Sequence, residues 1–260
     1  MTKGEAGDKI KAGDAIQVNN FKLFLTDFTD DEIRHCVNSA YSDKNFATEN
    51  IAEISHLLTG TYILELWHGP TCAFKDMALQ ILPYLLTTSA KKTIDGKEIA
   101  ILVATSGDTG KAALEGFKDV DGTSITVFYP EDGVSDMQKM QMATQMGENV
   151  NVTAIRGNFD DAQSGVKRIF SDADAVSFLD GKGHFFSSAN SINWGRLVPQ
   201  IVYYFSAYAD MIASGDVKCG EKINVCVIKE KLRSTEIFLI MICDILNNIK
   251  FECNSNIDIS

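Results

Sequence analysis

Positive charge is scarce in this chain. Its 24 lysines and arginines are outnumbered by 35 aspartates and glutamates, leaving a net charge of −11 over 260 residues. A protein that neutralises nucleic-acid phosphates needs a basic excess, so this balance argues against nucleic-acid partners. A small anion is still compatible, because a local nest of backbone N–H groups can hold one inside an acidic protein. The six cysteines form no C-x-x-C pair and no zinc-like Cys/His spacing, so no metal site is expected and they read as scattered reduced thiols. The four histidines (His35, His56, His68, His184) stand in no recognisable spacing with a serine, cysteine or carboxylate, which leaves a hydrolase triad without support. Long apolar runs are missing too: Phe238 to Cys243 falls far short of the roughly 20 residues a membrane span needs. The stretch from Met1 to Asp14 is polar, with no apolar core of a secretory signal. The expectation is a cytoplasmic protein with no membrane partner.

What the chain does have is core-forming material, 45% of its residues, enough for one large or two modest domains. Thr29 reads as the N-cap of an acidic helix between Thr26 and Asn38, and Tyr62 to Trp67 as a short strand. Asp76 to Leu86 has a mostly apolar helical pattern, interrupted or kinked at Pro83. From Glu98 a regular alternation sets in. Strands are expected at Ile99–Ala104, Ser124–Tyr129, Asn151–Ile155 and Lys222–Ile228. Between them helices are expected at Lys111–Phe117, Ser135–Met146, Phe159–Phe170 and Ser191–Ile212. Strands alternating with helices of this length indicate an α/β fold, a parallel sheet with helices on both faces.

Three segments could carry chemistry. In His68-Gly69-Pro70-Thr71-Cys72-Ala73-Phe74-Lys75-Asp76, a turn delivers Lys75 to the start of an apolar helix. A lysine at a helix N-terminus among apolar neighbours is disfavoured as a cation, and a neutral amine can form a Schiff base. Taken alone, the segment reads first as an ordinary first turn with a solvated lysine, since lysines are mostly exposed. The second segment is Ala104-Thr105-Ser106-Gly107-Asp108-Thr109-Gly110-Lys111, at the carboxyl end of a strand. Two glycines between strand and helix let N–H groups converge on an anion, or serve plain turn chemistry. It is not a P-loop: Thr105 stands where the first glycine belongs and Ala112 where Ser or Thr must hold magnesium. The third, Ser187 to Arg196, crowds small polar residues at the entry of a long helix, with Asn190 or Ser191 as its N-cap. Asn190, Ser191, Asn193 and Arg196 could grip a phosphate or carboxylate. A capped helix with Arg196 on a solvated face explains the same residues.

Together and in this order, the three segments resemble threonine synthase. They are Glu65 to Thr71 with Phe74-Lys75-Asp76, then Thr105 to Gly110, then Ser188 to Asn193 with Arg196. The resemblance extends from about Phe21 to about Val227. It implies the tryptophan-synthase-β-like fold of pyridoxal 5'-phosphate enzymes, and a lyase of threonine biosynthesis that converts O-phospho-L-homoserine and water to L-threonine and phosphate. Lys75 would be the catalytic, cofactor-holding lysine. Thr105, Ser106, Gly107, Asp108, Thr109 and Gly110 would bind the substrate carboxylate, and Asn190, Ser191, Asn193 and Arg196 its phosphate. The implied partner is a small phosphorylated amino acid.

The sequence departs from the family at both ends. The family's opening segment is replaced by a polar stretch up to Asn20. After Val227, where the family has a Gly/Asn-rich loop for the cofactor phosphate, the chain reads Ile228-Lys229-Glu230-Lys231-Leu232-Arg233. The expected organisation is therefore an N-terminal segment with the lysine motif (residues 1–92), a small α/β domain (93–186) and the start of an incomplete large domain with a divergent tail (187–260). A truncated or non-catalytic relative, or a lyase for another phosphorylated amino acid, is the alternative.

Overall fold

A computed structural model describes residues 21–48 and 50–226. Helix α1 (Asp30–Ala40) begins at Thr29, whose hydroxyl accepts from the Glu32 N–H while the Glu32 carboxylate returns to the Thr29 N–H, a reciprocal capping box. Its Ile33, Cys36, Val37 and Ala40 recur at helical spacing and form its buried face. A hairpin follows, β1 (Ile54–Leu58) and β2 (Thr61–Leu64), antiparallel with Ile54 opposite Leu64. Only the second strand is evident from apolar patterning. The overlooked signal is the two-residue link Thr59-Gly60, whose glycine takes φ +73°.

The helix expected over Asp76–Leu86 is two helices, α2 (Asp76–Leu79) and α3 (Leu82–Thr93). Pro83 is the cause. It has no N–H and its ring collides with the carbonyl four residues back, so it sits in the first turn of a new helix rather than inside an old one.

The central sheet comprises β3 (Glu98–Ala104), β4 (Thr123–Pro130), β5 (Val150–Ile155) and β6 (His184–Ser187), all parallel in the order β5-β4-β3-β6. Helix α4 (Asp108–Phe117) links β3 to β4, and α5 (Asp136–Ala143) links β4 to β5. Helices α6 (Phe159–Ser171) and α7 (Ala173–Asp180) lead to β6. Side chains alternate across the sheet. Ile99, Ile101 and Val103 join Leu114, Phe117, Ile125 and Val127 on one face, while Leu102 and Ala104 meet Phe128, Ala162 and Val166 on the other. The sheet is therefore covered on both faces, and each fully buried side chain such as Ile101 or Phe117 stabilises the fold by roughly 1.5–3 kcal/mol. A second core joins α1, α2 and α3 to α8 (Trp194–Ala213) through Ile33, Val37, Met77, Ile81, Val198 and Tyr203.

Two expectations need correction. Residues 222–226 form no strand, because an extended segment becomes one only by pairing and these have no ladder partner among the described residues. The rest of that segment and the tail from Lys229 lie outside the described residues. The expectation of reduced thiols holds for Cys36, Cys72 and Cys226, whereas Cys219 is disulfide-bonded, a pairing that depends on proximity and not on spacing.

Candidate active site

In an open parallel sheet, ligands lie outside the carboxyl ends of the strands where the strand order reverses. Here β4 and β5 are added on one side of β3, and β6 returns to the other. The reversal lies between β3 and β6. The Thr105–Gly110 turn leaves β3 there, and Ser188 to Asn193 leaves β6 beside it.

The lysine turn is built around Asp76. Its buried carboxylate accepts from the Thr71 N–H (2.8 Å), the Thr71 hydroxyl (2.6 Å) and the Ala73 N–H (3.5 Å), drawing the loop into a tight ring. Burial lifts this carboxyl above its ordinary range, against the Thr71 and Ala73 donors, which pull it down. Gly69 is required because a Cβ there would lie 2.6 Å from the Asp76 side chain. Cys72 bears some of the strain, with φ at +55°. The Tyr41 hydroxyl donates to the Met77 carbonyl and anchors α2 from behind. Upstream, His68 Nε2 lies 2.7 Å from Glu65 Oε2, and the Ser55 hydroxyl donates to the same carboxylate. Ser55 first, then His68, hold the Glu65 carboxyl below the usual carboxylate range. Glu53, Glu65 and His68 thus bring donor atoms within 4.8 Å of one another. Glu65 is already engaged by Ser55 and His68, so the group braces the hairpin against the turn.

Lys75 stands at the N-cap of α2 with its side chain half-buried. Its Nζ lies 5.5 Å from the centre of the Phe74 ring and 3.7 Å from Asp108 Oδ2. That separation is an ion pair rather than a hydrogen bond. The first two segments singled out from sequence therefore meet in space.

Within the second segment, Thr105 faces inward. Its buried hydroxyl accepts from the Gly107 N–H (3.0 Å) and the Gly110 N–H (2.9 Å) and donates to the Gly107 carbonyl (3.1 Å). Two of the turn's N–H groups are thereby engaged within it. Gly107 takes φ +147°, in the region that favours glycine, and a Cβ there would lie 2.4 Å from the Gln138 amide. Ser106 and Asp108 are exposed and Thr109 is half-buried. As first residues of α4, Asp108 and Thr109 have N–H groups with no intrahelical partner. Asp108 Oδ1 accepts from Gln138 Nε2 at 2.7 Å. Gln138 is the residue that sequence reasoning missed, and a Met/Gln-rich helix carries no signal that would single it out.

In the third segment, Asn190 completes the sheet. Its Nδ2 donates to the Ala104 carbonyl (2.8 Å) and its Oδ1 accepts from the Ala104 N–H (3.2 Å), as a paired strand residue would. The N-cap of α8 is Asn193, not Asn190 or Ser191. Its Oδ1 accepts from the Gly195 N–H, and its Nδ2 donates to the Ser188 carbonyl, which holds the preceding loop in place. Arg196 does not lie on a solvated face. It is buried, its Nη1 donates to the exposed Ser191 hydroxyl (3.1 Å), and its Nε has no partner. Burial holds its guanidinium below the usual arginine range, at about 10.

No family model matches the chain. Among known proteins, the human "Threonine synthase-like 1" is 43% identical over 197 residues, covering 74% of this chain and 26% of that protein. The threonine synthase of Pseudomonas aeruginosa is 46% identical over 162 residues, 62% of this chain and 33% of its own. Among solved structures, a PLP-bound threonine synthase from Brucella melitensis superposes with a TM-score of 0.70 at 34% identity, covering 79% of this chain and 43% of its own. Yeast threonine synthase superposes with a TM-score of 0.68 at 29% identity, over 83% and 43%. The chain thus spans between 26% and 43% of the length of these relatives. No helix among the described residues is long and apolar enough to cross a membrane. By these matches the chain is a homologue of the threonine synthase family, matched to part of its relatives' length.

Proposed function

We propose that this chain carries the lysine-bearing part of a pyridoxal-phosphate site of the threonine-synthase type, acting on a phosphorylated amino acid, O-phospho-L-homoserine. The observation that carries the reading is the 3.7 Å approach of Lys75 Nζ to Asp108 Oδ2. It sets a half-buried primary amine beside the helix N-terminus where a substrate carboxylate would dock. The residues fit the cofactor's aldehyde: the amine is close enough to the surface to be reached, and the rigid Asp76 ring fixes its direction. When bound, pyridoxal phosphate supplies the electron sink for charge that develops at the substrate's Cα and Cβ.

The chain's own groups do the rest. Lys75 Nζ would hold the cofactor and would carry protons at the substrate's Cα and Cβ. The first-turn N–H groups of α4, with the Ser106 and Thr109 hydroxyls, bind the substrate carboxylate. Thr105 shapes that turn from within, and Asn190 and Asn193 fix the neighbouring loop. The Ser191 hydroxyl and the Arg196 guanidinium are left to receive the phosphate.

The test is borohydride fixation of pyridoxal phosphate. Label should fall on Lys75 and vanish in Lys75→Ala, and label spread over surface lysines regardless of that substitution would sink the assignment. Activity of this chain alone is a separate proposal. A threonine-synthase-like chain that is weakly active or non-catalytic by itself is the reading favoured by its partial match to its relatives. Phosphate release from O-phosphohomoserine by purified chain with excess cofactor decides it, and turnover in the ordinary range of about 1–10³ s⁻¹ would exclude the weak reading.

A further inference from the structure

We infer that Gln138, on α5, is a positioning residue for the lysine site: its side-chain amide holds the Asp108 carboxylate in place beside Lys75. The inference rests on the reading of Lys75 given above. Gln138 Oε1 accepts from the Ser135 N–H at 3.3 Å, and Gln138 Nε2 donates to Asp108 Oδ1 at 2.7 Å. The first contact fixes the second. A backbone N–H only donates, so the amide oxygen must face Ser135, and the NH₂ must face Asp108. The other Asp108 oxygen is the one 3.7 Å from Lys75 Nζ. A chain of contacts therefore runs from the Ser135 N–H through Gln138 and Asp108 to the amine.

Three further observations support a dedicated role. Asp108 is 53% exposed at its side chain, so without an anchor its carboxylate would be free to turn to water. Gly107 leaves the space that the Gln138 amide fills, since a Cβ there would lie 2.4 Å from it. Helix α5 buries only Met142, while Met137 and Met140 are exposed, so Gln138 adds a polar link from this helix to the turn beside the packing of Met142 against Gly110. The neighbouring acid Asp76 cannot substitute for Asp108, because Thr71 and Ala73 already hold its carboxylate.

The test follows the pH profile of Lys75 acylation by a trace of amine reagent, read by mass spectrometry on the full chain without cofactor. Loss of a nearby carboxylate disfavours the ammonium, so Asp108→Asn should move the profile to lower pH. Below the midpoint this reads as about a three- to tenfold rise in labelling. Gln138→Met should move it the same way but less far, and should add nothing in the Asp108→Asn background. Met137→Ala, at an exposed position of the same helix, should leave the profile in place. Should Gln138→Met not fold, Gln138→Asn, one methylene shorter, tests the same reach. A Gln138→Met profile that coincides with the unsubstituted protein while Asp108→Asn moves would overturn the inference, as would an equal move in Met137→Ala. If the coupling is present but pyridoxal phosphate does not label Lys75, the functional reading fails and the positioning role stands.

Discussion

Gly116 of α4 lies against the backbone of Leu79 in α2, so close that a Cβ at Gly116 would sit 2.0 Å from the Leu79 carbonyl oxygen. This contact sets the helix that Lys75 begins against the helix that Asp108 begins. The ion pair between their first turns is a consequence of how tightly the two backbones approach.

Gly116→Ala should therefore be costly in a way that a helix-favouring substitution ordinarily is not. Backbone cannot move aside as a flexible side chain can, so overpacking should destabilise the protein by about 1–3 kcal/mol. It should also lower Lys75 labelling by pyridoxal phosphate. Urea denaturation measures the first effect, and an unchanged midpoint would show that α2 and α4 separate freely.

Asp76 makes stability depend on pH in a stated direction. Burial raises its folded-state value above the ordinary 3.8, so in the window between the two values the folded state holds more protons than the unfolded chain. Stability from this group then rises as pH falls through that window, and is lowest above it. Asp76→Asn removes the titration. The stability gap between the two proteins, followed by urea midpoints from neutral pH downward, should change in favour of the unsubstituted protein on acidification. A gap that stays constant would contradict the assignment.

Arg196 is a buried cation with an unpaired Nε. Burial lowers its folded-state value to about 10, below the usual arginine range, so the charge costs stability at neutral pH, and this is relieved only as pH rises through about 10. Arg196→Met should melt within about 1 kcal/mol of the unsubstituted protein, or above it, since replacing a poorly paired buried charge by an apolar chain is often neutral or better. It should at the same time lose affinity for a phosphorylated amino acid. Strong destabilisation would mean that the guanidinium serves the fold and not a ligand.

Asn190→Ala removes both partners of the Ala104 backbone at the end of β3. Leaving that donor and acceptor unpaired should cost about 1–3 kcal/mol. Amide exchange should quicken at Ala104 first, ahead of the centre of β3. Protection unchanged at that position would show that water replaces the amide without loss.

Much of the scaffold was legible in the chain because its causes are local. The Thr29-x-x-Glu32 box starts α1, and Asn158 caps α6 by accepting from the Asp160 and Asp161 N–H groups. The continuous apolar run Ile99-Ala100-Ile101-Leu102-Val103 announces a strand covered on both faces. The helix α7 was not legible, because Asp172 ends α6 and begins α7 at once, with no glycine or proline between them. Nor was the N-cap of α8, where Asn190, Ser191 and Asn193 each qualify by type and only the packing of the loop selects Asn193.

The sequence by itself determined the capped helices α1 and α6, the strands β3 and β4, and the resemblance of its three motifs to a family. Those depend on residue types within a few positions of each other. The tertiary structure alone decided which motif residues turn inward to hold the frame and which stay exposed. It turned Thr105 inward, made Asn190 a substitute strand residue, buried Arg196, and brought Gln138 to Asp108 from thirty residues away. Such contacts are set by the strand order β5-β4-β3-β6 and by helices packed across it. A side chain's partner across that distance is a property of the packed core, and no spacing along the chain encodes it.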